Sequence, residues 1–450
     1  MKFSEECGIF GGVSSKDYTV ASIIREGLFM LQHRGQESAG LCCGDHDLLI
    51  VKDRGLVMEV LSDRRIKSIR GRAGIGHVRY STQGWSDALH AQPYMVKYLD
   101  EKVAVAHNGN VESAMCMRKR LEREGEVFLT SADTEMILKK VIRVICKPPS
   151  AWKTHEVGKV LEENFLNGSW SIIFGFPGRV MAFRDPLGYR PLFFCEAEEG
   201  CFVGSEDSAF RLLNVKQVRE IEPGESVEIT LDGYKIERFA KEKPSKKCVF
   251  ESIYFARPDS NVFGRNVYMT RVELGKKCVA ENPVEADVVV PVMDSGFAAA
   301  VGYSHESGTP LQMGLMRNRW IGRTFIQPEQ RIRKSNVIRK LMPIDQVISN
   351  KRLVVVDDSL VRGTTSREIV RMLRKSGAKE IHLRIASPML VNTCFWGVDI
   401  PTKKELIANS FENLQEICNF VEADSLAYLS LEGLKQVFGD NGWCYHCFER

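Results

Sequence analysis

Hydrophobic positions in the first half of the chain come in short runs separated by glycine-rich turns. Cys7–Val13 reads as a short apolar strand. Val20, Ile23, Ile24, Gly27, Leu28 and Leu31 recur at helical spacing, and Gly35 closes that pattern. After it, "GRAGIGHVRYST", "KVAVAHNGNV", "WSIIFGFPGRVMAFRDPLG", "CFVGSED" and "VEITLDGYKIERF" read as strands and turns. One further helix is expected after Asp133, where Ile137, Leu138, Val141, Ile142 and Ile145 precede the stop at Pro148. Many strands and few helices predict an α+β domain built on packed sheets.

The charged run Lys241–Lys247, with a proline inside it, reads as a linker. Past it the period changes. "ADVVVPVMDSG" and "KRLVVVDDSLVRGTTS" are continuous apolar strands that end in polar residues. A helix with Ile369, Val370 and Leu373 before Gly377 follows, and then the alternating strand "EIHLRIAS". Buried strands alternating with helices predict a parallel, doubly wound α/β sheet. There is no internal repeat and no low-complexity segment.

Composition adds bounds. A chain of 450 residues exceeds one ordinary core and implies two or three domains. With 44% hydrophobic and 27% charged residues it has the make-up of a soluble globular protein. The net charge of +4 is small, and no long basic block stands out, so nucleic acid is not an expected partner. No apolar run approaches the roughly 20 residues of a membrane span. The start, "MKFSEE", is too short and too acidic for a signal peptide, and a cytoplasmic location is expected. The 13 cysteines are odd in number and scattered, which argues against a secreted disulfide framework. Buried thiols, a nucleophile and metal ligands are the alternatives.

The densest chemistry lies in "LVVVDDSLVRGTTS". Asp357 and Asp358 stand where a buried strand emerges, which is where ligands bind in an open α/β sheet. Arg362, Gly363, Thr364, Thr365 and Ser366 then run into a helix. A glycine turn lets backbone N–H groups converge, hydroxyls add donors, and a helix N-terminus favours negative charge, so this is a phosphate cradle. The carboxylates suit ribose hydroxyls or Mg2+, which prefers oxygen ligands. By the same geometry Asp294 and Ser295 end the other strand at one crevice. Between them, "RNRWIGRTFIQPEQRIRK" carries Arg317, Arg319, Arg323, Arg331 and Arg333 with Gly322 and Thr324. It reads either as a solvated basic loop or as a mobile cationic flap over pyrophosphate.

The run "VVVDDSLVRGTTS" resembles the 5-phosphoribosyl-1-pyrophosphate (PRPP) signature of type I phosphoribosyltransferases. That resemblance implies Asp357 and Asp358 on the ribose diol and on Mg2+, with Ser295 a further Mg2+ ligand. It implies Arg362, Gly363, Thr364, Thr365 and Ser366 around the 5′-phosphate, and Arg319 and Arg323 on PRPP from the flap. In the first half, "CGIFG", "LQHRGQESAG", "GHVRYST", "HNGN" and "SADTE" occur in this order. Together they resemble the glutaminase domain of N-terminal-nucleophile amidotransferases. The two halves jointly resemble the glutamine PRPP amidotransferase family, in its iron–sulfur, propeptide-bearing subgroup.

The family resemblance implies an αββα glutaminase domain at residues 7–240, a linker at 241–255, a phosphoribosyltransferase domain at 256–435 and a cluster-binding tail at 436–450. Residues 1–6 would be a propeptide removed autocatalytically before Cys7. The physical reason is plain: an amide nitrogen cannot accept the thiol proton, whereas a free α-amine, with a pKa near ~7.7–8.0, can. Asn108 and the Gly109 N–H would form the oxyanion hole, Arg79 would hold the glutamine carboxylate and Asp133 its α-amine. Arg34, Gly35 and Thr82 would line the site. Ammonia would pass through an apolar channel to C1 of PRPP.

"WCYHCF" places Cys444 and Cys447 in a C-x-x-C, which on its own fits a redox pair, a zinc half-site or an iron–sulfur half-site. The resemblance adds Cys248 and Cys394 and implies a structural [4Fe–4S] cluster on the four. It further implies purine-nucleotide inhibitors and a homotetramer. Two other classes are weighed against this reading: a PRPP-sensing regulator, which needs no ammonia source, and a sugar-phosphate aminating enzyme, which has no PRPP signature.

Overall fold

A computed structural model of the chain describes residues 5–15, 20–81, 88–111, 114–318, 341–398, 400 and 402–450. The chain forms two compact units. The first comprises Met1–Cys248, Ser260–Gly264 and Cys394–Asp399, and the second Val249–Asp259, Arg265–Thr393 and Ile400–Arg450.

In the first unit, seven antiparallel strands form one sheet. Their spatial order is Val215–Glu220, Phe193–Ala197, Gly200–Gly204, Glu5–Ser14, Ala73–Ser81, Ser38–Cys43 and Leu49–Arg54. Six more form a second sheet, in the order Gly233–Arg238, Glu225–Thr230, Arg179–Arg184, Ser169–Phe176, Glu101–Asn110 and Tyr94–Tyr98. Because side chains alternate along a strand, each sheet gives one apolar face to the other. Ile9, Val13 and Ile75 from the first meet Ala104, Ala106, Ile173, Val180, Ala182 and Val227 from the second.

The outer faces are covered by helices. Ala21–Met30 lies on the first sheet with Ile24 and Leu28 buried. An added Cβ at Gly76 would stand 2.6 Å from Ile24 Cγ2, which explains why small residues alternate with Ile75 and His77 in this strand. On the second sheet, Asp133–Ile145 and Thr154–Phe165 bury Ile137, Leu138, Val141, Val157, Leu161 and Phe165 against Val103, Val105, Ile172, Phe174 and Phe183. Burying each such side chain contributes about 1.5–3 kcal/mol. The result is an αββα sandwich. The helix Thr154–Phe165 is additional to the elements expected from the sequence, although Val157, Val160, Leu161 and Phe165 carry its period.

The second unit is built on four parallel strands, Val288–Pro291, Arg352–Asp357, Glu380–Ile385 and Ser425–Tyr428, in that spatial order. Leu353 and Val355 pack with Ile369, Val370 and Leu373 of helix Thr364–Lys375 and with Ile417 and Val421 of helix Leu414–Val421. Val354 and Val356 are equally buried on the other face, where helix Phe297–Ser307 packs on the strands and on helix Val267–Glu281. The strand Glu380–Ile385 departs from the expected half-buried alternation, since His382 and Arg384 are buried too. It is an inner strand, so its polar side chains must be satisfied internally. Arg384 Nε donates to Asn282 O at 3.1 Å and its Nη1 to Ser425 Oγ at 3.0 Å. Among the described residues, no helix is long and apolar enough to cross a membrane.

Candidate functional site

Strand register gathers the first set of groups. Cys7 lies opposite Arg79 in the neighbouring strand, and Ile9 lies opposite His77. Ile9 and Ile75 face the second sheet, so by alternation Cys7, His77 and Arg79 face it as well. On the second sheet Ala104 and Ala106 face back, which sets Asn108 in the same layer. His77 Nε2 meets the carbonyl oxygen of His107 at 3.1 Å and ties the two sheets at this end. Cys7, Arg79 and Asn108 are 1%, 6% and 1% exposed, so this is a desolvated place for polar chemistry.

Asn108 carries an unpaired side-chain donor into this layer. Its Nδ2 is buried without a hydrogen-bond acceptor among the described residues. A buried donor left unpaired costs ~1–3 kcal/mol, which an incoming carbonyl oxygen would relieve. Gly109 follows with φ +143°, and a Cβ there would stand 1.9 Å from Ser169 O, so glycine is required. Asp133 sits at the start of its helix. Its Oδ1 pairs with His107 Nδ1 at 3.2 Å and its Oδ2 accepts from the Val111 N–H at 3.3 Å. Burial pushes the Asp133 carboxyl up, but the His107 charge and hydrogen bond and the Val111 N–H outweigh it and hold it below the ordinary range.

The structure places Arg34 on Glu206, a wholly buried carboxylate that also meets His33 Nε2 at 2.7 Å and accepts from Ser260 Oγ at 2.6 Å. Burial would raise Glu206, and the His33 and Arg34 charges hold it well below its usual value instead. An added Cβ at Gly35 would stand 2.5 Å from Arg79 N, so Arg34 and Gly35 press on the strand that carries Arg79. His77, His107, Glu206 and Ser260 are absent from the sequence-based set. The signal for His77 and His107 is a polar residue in an apolar run, as in "GIGHV" and "VAVAHN"; Glu206 and Ser260 stand in polar stretches and carry none. Thr82 lies outside the described residues, as do residues 1–4 of the expected propeptide.

The second unit holds the other set at the C-terminal end of the strand Arg352–Asp357. Asp357 and Asp358 are buried, and Asp357 Oδ1 accepts from the Asp358 N–H at 2.9 Å. Burial and then the Asp358 charge push Asp357 well above the carboxylate range. Burial raises Asp358 as well, against hydrogen bonds from Ser295 and Ser359. The turn passes through Gly363 at φ +71° into helix Thr364–Lys375, which has no side-chain cap at its N-terminus, an end that favours negative charge. Thr364 and Thr365 are exposed there and Ser366 is buried. Arg362 Nη2 pairs with Glu405 Oε1 at 3.0 Å. Asp294 pairs with Arg317 at the rim of a cavity of about 240 Å3 lined also by Met293, Met313 and Met316. Arg319 and Arg323, with Gly322, Thr324, Arg331 and Arg333, lie outside the described residues.

Two buried carboxylates with raised affinity for protons, and a serine hydroxyl on one of them, suit a hard divalent cation such as Mg2+. Cys248 and Cys394 lie in the first unit, and Cys444 and Cys447 in the second. Among the described residues, no three His, Cys, Asp or Glu side chains are grouped to hold a metal ion.

Residues 77–212 match the glutamine amidotransferase domain family. The chain is 42% identical to an amidophosphoribosyltransferase of Methanocaldococcus jannaschii, over 98% of this chain and 96% of that one. It is 42% identical to the chloroplastic amidophosphoribosyltransferase 1 of Arabidopsis thaliana, over 99% and 78%. The structure of the glutamine PRPP amidotransferase of B. subtilis complexed with ADP and GMP superposes with a TM-score of 0.87 at 39% identity, covering 98% of this chain and 96% of that one. That of an allosteric regulatory enzyme of purine biosynthesis gives 0.89 at 39% identity, covering 98% and 95%. The αββα unit therefore has the N-terminal-nucleophile glutaminase fold, and the parallel sheet the type I phosphoribosyltransferase fold. With this identity along nearly its whole length, the chain belongs to the amidophosphoribosyltransferase family.

Proposed function

We propose that this chain is a glutamine-dependent amidophosphoribosyltransferase acting at the first step of purine synthesis. It converts glutamine, PRPP and water into 5-phosphoribosylamine, glutamate and pyrophosphate. The observation that carries this is the relatedness to amidophosphoribosyltransferases along 98% of the chain, with both site sequences present.

In the first half-reaction, removal of residues 1–6 frees the Cys7 α-amine, which takes the thiol proton. The Cys7 sulfur attacks the glutamine carboxamide carbon, and negative charge moves to the oxygen. Asn108 Nδ2 and the Gly109 N–H hold that oxygen; the unpaired, buried amide of Asn108 supports this role. The amine returns the proton to nitrogen, ammonia leaves, and water releases glutamate from the sulfur. Arg79 takes the substrate carboxylate and Asp133 its α-amine, with Arg34, Gly35 and Thr82 beside them.

In the second, ammonia attacks C1 of PRPP and the bond from C1 to pyrophosphate breaks. Asp357 and Asp358 orient the ribose hydroxyls. Arg362, Gly363, Thr364, Thr365 and Ser366 hold the 5′-phosphate, and Arg319 and Arg323 the pyrophosphate. Mg2+ held by Ser295, Asp357 and Asp358 would neutralise the departing pyrophosphate. Purine nucleotides as inhibitors are supported by the ADP and GMP of the B. subtilis complex. Cys248, Cys394, Cys444 and Cys447 would hold a [4Fe–4S] cluster with a structural role, checked by iron and acid-labile sulfide analysis. A cytoplasmic homotetramer completes the proposal, and sedimentation measures the tetramer.

The decisive assay is glutamine-dependent release of pyrophosphate from PRPP. Its absence in protein that begins at Cys7 rules the function out. Mass spectrometry of the N-terminus tests the propeptide: active protein that retains Met1 rules out the amine as base.

A further inference from the structure

Gly109 is pressed from two sides within the first unit. On one side is Ser169, as described. On the other is the segment Phe395–Gly397, which reaches this unit from much later in the chain. A Cβ at Gly397 would stand 2.9 Å from Gly109 C and 3.2 Å from Asn110 N, so the two backbones are in direct contact. Gly397 also has φ +86°, which glycine alone adopts readily.

The segment is fastened at Phe395 and at Trp396. Asn110 Nδ2 donates to Phe395 O at 2.6 Å. Ser169 Oγ donates to Trp396 O at 2.6 Å, and Arg190 Nη2 donates to the same oxygen at 2.9 Å. The Trp396 ring stacks on Tyr189 with centroids 5.2 Å apart and planes 13° from parallel. Asn110 and Ser169 are themselves register partners across the two strands that carry them. The backbone contact and two of these hydrogen bonds therefore fall on the Gly109–Asn110 peptide, which follows directly on the one that presents the Gly109 N–H, and on Asn110's register partner Ser169.

We propose that Phe395–Gly397 is a positioning segment for the oxyanion site. It holds the Gly109–Asn110 backbone where the Gly109 N–H must aim before charge develops. This rests on the reading of Asn108 and Gly109 as oxyanion donors. Donors help the reaction only when already in place, and a displacement of about 1 Å at a reacting centre costs ~10²-fold in rate. Trp396 and Gly397 have no part in holding the glutamine carboxylate or amine. Their loss is thus expected in turnover and not in substrate affinity.

The test uses the full chain, begun at Cys7, with Trp396→Ala, Trp396→Phe, Ser169→Ala and Gly397→Ala. Glutamine hydrolysis is measured for kcat and KM, beside ammonia-dependent pyrophosphate release from PRPP. Trp396→Ala and Gly397→Ala should lower kcat for glutamine by about tenfold or more, with KM within about twofold. Ser169→Ala, which leaves Arg190 on the Trp396 carbonyl, should fall less. Trp396→Phe keeps a ring on Tyr189 and should restore turnover. Ammonia-dependent release should stay within about twofold of the parent in all four. Unchanged kcat in both Trp396→Ala and Gly397→Ala overturns the proposal, and so does an equal fall in the ammonia-dependent reaction. A parent chain that does not hydrolyse glutamine overturns the functional reading and this one with it.

Discussion

At the scale of single residues, the amide of Asn108 is the sharpest feature. Asn108→Ala removes a donor that has no other acceptor among the described residues. Loss of one such donor costs about 10²–10³ in kcat, or ~2.7–4 kcal/mol. Steady-state glutamine hydrolysis should show that fall in kcat, and a loss below fivefold would contradict the role. His77 makes a prediction about acid. Burial, then the neighbouring Arg79, pushes its imidazole down to about 3. The unfolded chain binds this proton below roughly pH 6.5 and the folded chain does not, so stability falls as pH drops from there towards 3. The slope is about 1.4 kcal/mol per pH unit. In acid unfolding curves His77→Gln should flatten this stretch, and an unchanged slope would refute it. Cys7, Asn108 and Asp357–Asp358 are legible as candidates in the sequence because each sits inside a short local motif. Arg34 with Glu206, and Arg190 with Trp396, are not, because the partners lie 172 and 206 positions apart.

At the scale of elements, the strand Arg352–Asp357 delivers two carboxyls to one buried turn. Burial and mutual repulsion raise Asp357, and burial raises Asp358. A carboxyl raised in the folded state adds stability in full below its unfolded pKa, about 3.9. It loses that stability as pH climbs through its raised folded value. At neutral pH the pair is therefore a cost that a bound cation would offset. Thermal unfolding at neutral pH should show Mg2+ raising Tm in the parent. Asp357→Asn should raise Tm without Mg2+ by about 2–4 °C per kcal/mol relieved, and should lose the Mg2+ response. A variant that keeps the response would remove Asp357 from the metal site. Most strands were readable from their apolar runs and glycine turns. The helix Thr154–Phe165 was not, since its four apolar positions are diluted among Lys and Glu. The inner strand Glu380–Ile385 reads as half-exposed because His382 and Arg384 mimic a solvent face, while Ser425 and Asn282, which help to satisfy them, lie far off in sequence.

At the scale of the whole molecule, the change of hydrophobic period at Lys241–Lys247 announces two kinds of architecture in order along the chain. It does not announce that Ser260–Gly264 and Cys394–Asp399 fold with the first unit. No local period records that choice. It is made by Glu206 and Asp207, which bind Ser260 and Asn261, and by the contacts of Trp396. A fragment ending at Cys248 would lack these pieces and leave the wholly buried Glu206 without Ser260. Chemical denaturation of that fragment should show a lower midpoint than the first transition of the full chain, and an equal midpoint would contradict this account. The backbone changes unit at 248/249, 259/260, 264/265, 393/394 and 399/400. No single cut can separate amide hydrolysis from sugar transfer into intact halves. A recombination event that exchanged one half for a foreign one would need compatible inserts at two distant places.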